Sequence, residues 1–361
     1  MLPDSAPALG LVKPSVRAAP AYGLEAPTTA LKLNQNEAPE DVPEDIRREI
    51  VSRALLEPWH RYPAFVPARL TARLAARHQW EPDGVLVGNG SNEIIQAALA
   101  VHVGAGDVVV APEPTFALYR LLTAVGGGRY VPVALGRDFA YDVGALIAAA
   151  RRERARVVVL NSPNNPTGSA LPEGALRRIL DETEALVLCD EAYQDFGGPS
   201  AVSLLRQSAR LVVLRTFSKA MGMAGLRFGY GLAHPDLARE IGKAKLPYNV
   251  NAITLVAADV ALDHQARFDE RTRAVIAERE RFLPLLRAVS GIQVFPSAAN
   301  FVLIRVEAKP ARVVFRRLID DHGILVRDVS AGPGLAECLR ISIGTRAQMD
   351  AVLAALDHTL R

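Results

Sequence analysis

The most informative stretch of the chain, residues 214–230, reads Leu-Arg-Thr-Phe-Ser-Lys-Ala-Met-Gly-Met-Ala-Gly-Leu-Arg-Phe-Gly-Tyr. An apolar run leads into it, which predicts a buried strand that ends at the hydroxyls of Thr216 and Ser218. Lys219 follows at once, and Arg227 comes eight residues later. Two hydroxyls and a guanidinium suit a phosphate dianion, and a lysine beside a phosphate site can form a Schiff base with an aldehyde. Small residues between them let the backbone approach a bound group closely: Ala220, Gly222, Ala224 and Gly225.

A cofactor that carries both a phosphate and an aldehyde is pyridoxal 5'-phosphate, PLP. The stretch resembles the lysine segment of the fold-type-I PLP enzymes, the aspartate aminotransferase superfamily. The resemblance implies that Lys219 binds PLP covalently and that Thr216, Ser218 and Arg227 hold its phosphate. It also implies an α/β fold, with a large domain whose mainly parallel sheet lies between helices and a smaller α+β domain.

Composition narrows the class of protein. The chain has 361 residues, of which 50% are hydrophobic, so two packed domains are expected. The net charge is only +3 and no long basic block occurs, which argues against a nucleic-acid partner. Two distant cysteines and seven scattered histidines suggest neither a disulfide framework nor a metal site. The sequence shows no signal peptide and no apolar run of membrane-spanning length, so we expect a cytoplasmic protein without a membrane partner.

From about residue 80, short apolar runs alternate with helical patterns, which predicts a mainly parallel sheet covered on both faces. The predicted strands are Val85–Val87, Val108–Val110, Tyr130–Val133, Val157–Leu160, Ala185–Cys189, Leu211–Leu214 and Phe228–Leu232. The predicted helices lie near 92–103, 115–125, 142–150, 173–181 and 235–246.

After about residue 265 the alternation of short strands and helices gives way to a long charged helix. Strands near 301–306 and 338–343 and helices near 311–321 and 346–358 follow it.

We therefore expect the chain to have an N-terminal segment and two domains. Residues 1–30 are rich in Ala and Pro without a period, which predicts an N-terminal arm or extended lead-in. Residues 31–262 form the large PLP-binding domain, whose first segment, about 31–50, could pack with the small domain. Residues 263–361 form the small C-terminal domain.

Two further motifs follow strands of the predicted sheet. Gly88-Asn89-Gly90-Ser91-Asn92-Glu93 opens a helix, and the free amides of a helix start, with Ser91 and Asn92, suit a phosphate. Simple capping of the helix by Ser91 is the alternative. Phe116, in Pro112-Glu113-Pro114-Thr115-Phe116, could stack on a pyridine ring or lie in the core. The related aminotransferases are expected to have Tyr here, and Phe keeps the stacking without the hydroxyl.

Two more strand ends carry polar side chains. Asn161-Ser162-Pro163-Asn164-Asn165-Pro166-Thr167-Gly168 resembles the superfamily loop that hydrogen-bonds the PLP phenolic oxygen, here through Asn165. Asp190, in Cys189-Asp190-Glu191-Ala192-Tyr193, would pair with the pyridine nitrogen and keep it protonated, although a helix N-cap is its alternative role. Tyr193 would donate a hydrogen bond to the phenolic oxygen. The resemblance thus implies that Lys219, Asp190 and Tyr193 are the catalytic residues.

More specific motifs resemble the histidinol-phosphate aminotransferase family. They are Leu31-Lys32-Leu33-Asn34-Gln35-Asn36-Glu37, Arg61-Tyr62-Pro63 and Pro247-Tyr248-Asn249-Val250-Asn251. In that family the tyrosine matched by Tyr62 reaches the PLP phosphate of the neighbouring subunit, which implies a homodimer with shared active sites. Tyr22 matches an N-terminal tyrosine that lies over the substrate, and packing on a dimer surface is the alternative.

Two arginines are candidates for substrate binding. Arg340, in Leu339-Arg340-Ile341-Ser342, matches the carboxylate-binding arginine of the superfamily. Arg327 precedes it by thirteen residues, and strand alternation could point both into one cleft. Two guanidiniums suit a substrate phosphate in one half-reaction and a dicarboxylate in the other. A surface ion pair between Arg327 and Asp328 is the alternative.

The resemblance implies transamination between L-histidinol phosphate and 2-oxoglutarate, giving imidazole acetol phosphate and L-glutamate, as in histidine biosynthesis. Three alternatives stay open at this point. An aromatic amino-acid aminotransferase would share every cofactor residue, and a threonine-phosphate decarboxylase-like enzyme would share the fold and a phosphorylated substrate. A non-catalytic PLP-binding regulatory domain is the third, although such regulators usually carry a DNA-binding domain.

Overall fold

The computed structural model describes residues 6–18 and 27–361 of the chain. Tyr22 lies outside these residues. Within the two ranges, no helix combines the length and the apolar character that crossing a membrane requires.

Thirteen α-helices lie in the described ranges. In chain order they are α1 (Ala6–Gly10), α2 (Pro14–Ala18), α3 (Glu44–Ala54), α4 (Ala68–Arg77), α5 (Ser91–His102), α6 (Leu118–Gly126), α7 (Val143–Arg152), α8 (Ala175–Glu182), α9 (Pro235–Gly242), α10 (Ala252–Asp263), α11 (Gln265–Arg287), α12 (Ala311–Asp320) and α13 (Arg346–Leu360). Short 3₁₀ helices lie at Pro82–Gly84, Arg137–Phe139, Gln194–Phe196, Ala201–Leu204 and Ala224–Leu226.

The strands form three sheets. In chain order they are β1 (Leu31–Lys32), β2 (Val85–Asn89), β3 (Val108–Glu113), β4 (Arg129–Ala134), β5 (Val157–Asn161), β6 (Leu186–Asp190), β7 (Leu211–Thr216), β8 (Phe228–Ala233), β9 (Ile292–Val294), β10 (Phe301–Val306), β11 (Ile324–Leu325), β12 (Arg327–Asp328) and β13 (Cys338–Ser342).

The largest sheet has seven strands in the order β2-β8-β7-β6-β5-β3-β4. The pairs from β7 to β4 are parallel, and β8 runs antiparallel to both of its neighbours. The strands that run in one direction, β2 to β7, therefore end at one edge of the sheet, and β8 begins at that same edge. This is the mainly parallel α/β sheet that the sequence predicts, and the fold class is confirmed.

Both faces of this sheet are covered by helices, as its continuous apolar strands predict. Alternate residues of one strand enter different cores: Val158 and Leu160 face one side, and Val157 and Val159 face the other. Helices α3, α4, α7, α8 and α10 contribute buried residues to the first core. Helices α5 and α9 contribute to the second.

A second, antiparallel sheet of four strands, called the small sheet below, has the order β12-β13-β10-β9. It has a separate core, to which α11, α12 and α13 contribute. The strand β1, near the beginning of the chain, pairs in parallel with β11, with Leu31 opposite Ile324. The backbone amide of Leu33 extends this contact by donating to the Leu325 carbonyl oxygen at 2.7 Å. Residues just after 30 are thereby attached to the C-terminal part of the molecule.

Some predicted elements differ from the observed ones. The stretch 1–30 contains two short helices, α1 and α2, in its described part, so the expectation of extended backbone is wrong there. Helix α6 begins at Leu118 instead of near 115, and α9 ends at Gly242 instead of near 246. The sequence reading also missed α3, α4 and α10, whose buried faces pack under the large sheet. The signal for α4 is present in the sequence, since Leu70, Leu74 and Ala75 have the spacing of an amphipathic helix.

Candidate active site

A cluster of hydrogen-bond donors that suit a phosphate lies at the edge of the large sheet where β7 ends and β8 begins. The Arg227 guanidinium donates to the Ser218 hydroxyl at 3.2 Å. The Thr216 hydroxyl accepts from the Ser218 backbone amide at 3.1 Å and donates to the Phe228 carbonyl at 3.3 Å. The structure thus brings together the three side chains that the sequence assigns to the phosphate.

The start of α5 reaches the same cluster. Gly90 has φ +77°, and a Cβ built there would lie 2.4 Å from Nη2 of Arg227. A Cβ on Gly229 would lie 2.2 Å from the Ser91 backbone nitrogen. Gly229 is therefore required for the close approach of α5 to β8, and Gly90 for the positive φ and for the position of the Arg227 guanidinium. Gly90, and not Ser91, is the residue that precedes the helix, and no side chain caps it, so the capping alternative for Ser91 is wrong.

The side chains of Ser91 and Asn92 differ in exposure. Ser91 is buried in the first turn of α5, whereas Asn92 is exposed on it. The first amides of a helix lack intrahelical acceptors, and the positive end of the helix dipole favours an anion there. The predicted roles of both residues toward a phosphate remain predictions.

Lys219 lies next to this cluster and is partly buried. Its Nζ donates to the Gln35 carbonyl oxygen at 2.8 Å and lies 5.7 Å from the centre of the Tyr193 ring. Burial lowers the pKa of Lys219 to about 7, and the positive charge of Arg340 acts in the same direction. Close to neutral pH, a large share of the Lys219 side chain is therefore a neutral amine, the form that attacks a carbonyl carbon.

Asp190 ends β6 and is buried. Its Oδ2 accepts a hydrogen bond from the Tyr119 hydroxyl at 2.6 Å, and its Oδ1 accepts from the Ala192 backbone amide at 3.1 Å. Burial raises the pKa of Asp190, although these two hydrogen bonds oppose the change. In the described part of the chain no arginine, lysine or histidine forms an ion pair with Asp190, so a bound cation would stabilise its carboxylate.

Phe116 and Asn165 follow β3 and β5 at the same edge. The Phe116 ring packs edge-on against Tyr119, with 5.6 Å between ring centres, so it lies beside the residue that contacts Asp190. The Asn165 Oδ1 accepts a hydrogen bond from Arg340 Nη1. Its amide nitrogen is therefore the group that can donate to a ligand.

Three consecutive residues contact three different predicted site residues. The Asn34 carbonyl accepts from Arg340 Nη2 at 2.8 Å, and the Gln35 carbonyl accepts from Lys219. The Asn36 side-chain Nδ2 lies 3.0 Å from the Tyr193 hydroxyl. We call residues Asn34, Gln35 and Asn36 the tripeptide segment.

Arg327 and Arg340 are directly opposite each other on the antiparallel strands β12 and β13. Side chains at such a pair of positions lie on the same face of a sheet, with their Cβ atoms about 4.5–5.5 Å apart. Among the described residues Arg327 forms no ion pair. Asp328 instead accepts hydrogen bonds from the amide and hydroxyl of Ser330 at 2.9 and 2.6 Å, so the surface pair between Arg327 and Asp328 is absent.

Tyr62 lies apart from these residues. It is 80% exposed, and its ring stacks on Tyr248 with 4.5 Å between ring centres. The Phe65 ring packs edge-on against the same Tyr248, and it is exposed. Other large apolar side chains close to Tyr62 or Tyr248 in the sequence are also exposed: Leu55, Leu56, Trp59, Val66 and Leu246. No contact within the described ranges joins Tyr62 to Lys219 or Arg227, and its predicted role across a subunit interface remains a prediction.

Two residues in this arrangement were missed by the sequence reading. Tyr119 is the hydrogen-bond partner of Asp190, and Asn36 is that of Tyr193. Tyr119 stands three residues after Phe116, on the turn of helix that faces the sheet, and this spacing was an available signal. Asn36 lies within the motif Leu31-Lys32-Leu33-Asn34-Gln35-Asn36-Glu37, whose resemblance to the family gives this residue no role.

Comparison with known proteins identifies the class. The family model for aminotransferase class I and II matches residues 28–356. The chain is 40% identical to the histidinol-phosphate aminotransferase of Prosthecochloris aestuarii, over 96% of this chain and 97% of the relative. It is 37% identical to the enzyme of that name from Chlorobaculum tepidum, over 96% and 99%.

Solved structures give the same result. The histidinol-phosphate aminotransferase of Sinorhizobium meliloti, determined in complex with pyridoxal-5'-phosphate, superposes with a TM-score of 0.87 at 30% identity over 98% of both chains. The L-threonine-O-3-phosphate decarboxylase of Porphyromonas gingivalis superposes with a TM-score of 0.81 at 24% identity, over 91% of this chain and 99% of that one, which shows a shared fold alone.

The chain is an aminotransferase of class I and II, and within that class it belongs to the histidinol-phosphate aminotransferase family. The alternative of a non-catalytic regulatory domain is therefore wrong.

The environment of Lys219 predicts its reactivity in the protein without cofactor. Because its pKa is about 7, its reaction with an amine-specific reagent should reach half of its maximum near pH 7. Labelling of Lys219, measured by peptide mass spectrometry from pH 5 to pH 11, checks this. The control is the same chain in denaturant, where no burial lowers the pKa of Lys219, so its labelling should rise only at higher pH. Superimposable Lys219 curves for the folded and the unfolded chain would contradict the prediction.

Proposed function

We propose that this enzyme uses PLP to transfer the amino group of L-histidinol phosphate to 2-oxoglutarate, giving imidazole acetol phosphate and L-glutamate. The observation that carries the choice of substrates is the pairing of Arg327 with Arg340 on one face of the small sheet. Two guanidiniums that share a face suit a phosphate monoester in one half-reaction and a dicarboxylate in the other. The names of the relatives support the same reaction.

The residues present fit PLP. The absence of a Cβ at Gly90 and Gly229 lets the Arg227 guanidinium and the Ser91 backbone amide, two groups that suit a phosphate, lie close together. Thr216 and Ser218 add hydroxyls to the same cluster. A protonated pyridine nitrogen would give the buried carboxylate of Asp190 the cationic partner that the described protein residues do not supply. The chemistry of this donor set matches the phosphate and the ring nitrogen of one cofactor.

When bound, PLP supplies the carbonyl that accepts the amino group and the ring that delocalises the electrons released at the substrate carbon. The residues would contribute to this chemistry as follows. Asp190 would hold a proton on the ring nitrogen, because its carboxylate is buried and fixed by Tyr119 and Ala192. The amide of Asn165 and the hydroxyl of Tyr193 would donate to the phenolic oxygen, and Phe116 would stack on the ring.

Lys219 Nζ would hold PLP through its carbonyl carbon and, as a free amine, would accept the proton that leaves the substrate carbon and return it. A lowered pKa suits both tasks, since the amine must be neutral to attack a carbonyl and to accept a proton. Arg340 binds the anionic group of the amino donor and later that of the oxo acid. The same site thus serves the two half-reactions in turn.

Tyr22 is proposed to lie over the substrate, as in the family, although it is outside the described residues. The exposed ring of Tyr62 is proposed to reach the PLP phosphate of a second subunit, in a homodimer with shared active sites. The apolar side chains around it are the kind of surface that a subunit interface covers. A cytoplasmic location also remains a prediction.

The amino donor is tested by mixing the PLP form of the enzyme with L-histidinol phosphate, L-phenylalanine or O-phospho-L-threonine and recording single-turnover spectra. We expect loss of the PLP absorption to be fastest with histidinol phosphate, with imidazole acetol phosphate as the product. A faster reaction with phenylalanine would support the aromatic aminotransferase alternative. Release of carbon dioxide from phosphothreonine would support the decarboxylase alternative.

Arg327 should contribute mainly when the donor carries a phosphate. A charge-assisted hydrogen bond contributes about 1.5–3 kcal/mol, so Arg327→Ala should lower kcat/KM for histidinol phosphate by at least about tenfold. The loss for an unphosphorylated aromatic donor should be much smaller. Arg316→Ala removes an exposed arginine on α12 and is the matched control. Equal losses for both donors would remove the phosphate-binding role from Arg327.

Sharing of sites between subunits is tested with two inactive variants. Tyr62→Ala and Lys219→Ala proteins are unfolded together, refolded and assayed, so that mixed dimers form. A mixed dimer contains one site with both native residues, and we expect about a quarter of native activity when mixing is random and complete. Mixed dimers with no recovered activity, or a fully active monomer, would contradict the shared site.

A further inference from the structure

Asn36 lies between the seven-stranded sheet and the small sheet. It is buried, with 1% of its surface exposed, and its backbone has φ +54°. Asparagine and aspartate adopt this left-handed conformation more readily than most side chains. The Asn36 side chain contacts Tyr193, which follows β6, on one side and Ser342, at the end of β13, on the other. It therefore connects the loop that carries a predicted catalytic residue to the small sheet.

The hydrogen bonds of Ser342 fix which way the Asn36 amide faces. The Ser342 hydroxyl oxygen accepts from the Asn36 backbone amide at 2.8 Å. Its proton is then donated to Asn36 Oδ1, 3.2 Å away. With Oδ1 turned toward Ser342, the atom that faces the Tyr193 hydroxyl is Nδ2, at 3.0 Å. The opposite amide orientation would deprive the buried Ser342 proton of this acceptor.

An amide nitrogen donates hydrogen bonds and does not accept them. The Tyr193 oxygen therefore accepts from Asn36, and the single Tyr193 proton is directed away from Asn36. Lys219 Nζ lies on the ring side of the same tyrosine, 5.7 Å from the ring centre. The backbone of the neighbouring residue, Gln35, contacts that lysine directly.

We propose that Asn36, held by Ser342, is a positioning residue that fixes the direction of the Tyr193 hydrogen bond, so that Tyr193 donates to the phenolic oxygen of PLP. The proposal rests on the proposed function, because it places PLP at Lys219. Its consequence is a change in acidity. A donor to the phenolic oxygen withdraws negative charge from it, and the proton shared between this oxygen and the Lys219 nitrogen is then held less tightly.

The experiment places an acceptor where Nδ2 stands. Asn36→Asp keeps the size, the left-handed backbone and the acceptor for Ser342, but it offers a carboxylate oxygen to the Tyr193 proton. We expect the pH at which the visible absorption of bound PLP is half converted to rise by about one unit or more. Asn36→Gly keeps the backbone conformation without adding an acceptor, and it should shift this midpoint by less than half as much.

A carboxylate also raises the midpoint through its charge alone, so the substitution is repeated in a Tyr193→Phe protein, which has no hydroxyl proton to redirect. If Asn36 acts through Tyr193, the shift caused by Asn36→Asp should be at least about half a unit smaller in the Phe background. Equal shifts in the two backgrounds would show an effect of charge alone and overturn the proposal. So would a shift from Asn36→Gly as large as that from Asn36→Asp.

A second variant tests the same idea if Asn36→Asp does not fold. Ser342→Ala leaves Asn36 in place and frees its amide to turn, so the midpoint should rise in the same direction by a smaller amount. An unchanged midpoint in a folded Ser342→Ala protein that binds PLP would overturn the proposal. Failure of the proposed function is a separate observation: borohydride reduction of the unsubstituted holoenzyme would then leave no PLP label on Lys219.

Discussion

The arrangement of the active site depends on the tripeptide segment, whose three residues contact Arg340, Lys219 and Tyr193 in turn. Two of these contacts are made by backbone carbonyls, so they depend on the path of the chain and not on side-chain type. That path is held just before the segment by the pairing of β1 with β11 and just after it by Asn300, which donates to the Asn36 carbonyl at 3.0 Å. A displacement of this short stretch would move Arg340, Lys219 and Tyr193 together.

The second constraint is the edge of the large sheet. Parallel strands buried on both faces must end side by side, and their loops carry the polar groups that the core excludes. A buried ion pair joins two of these ends. Arg215, on β7, lies 2.7 Å from Glu191, just after β6. Removing one partner from such a pair generally costs about 3–5 kcal/mol, because the other charge is left buried. Asp190, which ends β6, and Lys219, which follows β7, are therefore next to strand ends that are fixed relative to each other.

Charge balance explains why the site suits anions. Lys219, Arg227, Arg327 and Arg340 contribute positive groups, and the lowered pKa of Lys219 is partly an effect of Arg340. Binding of an anionic substrate by Arg340 would reduce that effect and favour protonation of the lysine nitrogen. In the proposed function, substrate binding and the basicity of Lys219 are thus coupled through Arg340, which also contacts Asn34 and Asn165.

The sequence alone determined the fold class, because alternating apolar strands and helices permit few arrangements other than a covered parallel sheet. That arrangement in turn brings the residues that follow the strands to one edge, which is why Asp190, Asn165 and Lys219 could be proposed as neighbours. Resemblance to a family supplied their roles. The N-terminal helices α3 and α4 lie outside the alternating pattern that begins near residue 80, although the spacing of Leu70, Leu74 and Ala75 in α4 is itself a helical signal.

Only the tertiary structure decided how these residues are held and tuned. Tyr119 and Asp190 are 71 residues apart in the chain, and Asn36 and Tyr193 are 157 apart, so no local pattern links them. The register that sets Arg327 opposite Arg340 is fixed by the pairing of two strands. The pKa of Lys219 depends on burial and on the distance to Arg340, and both exist only after the chain has folded. Local sequence specifies which groups are available, whereas the hydrogen-bond direction and the electrostatic field at each group arise from contacts between distant segments.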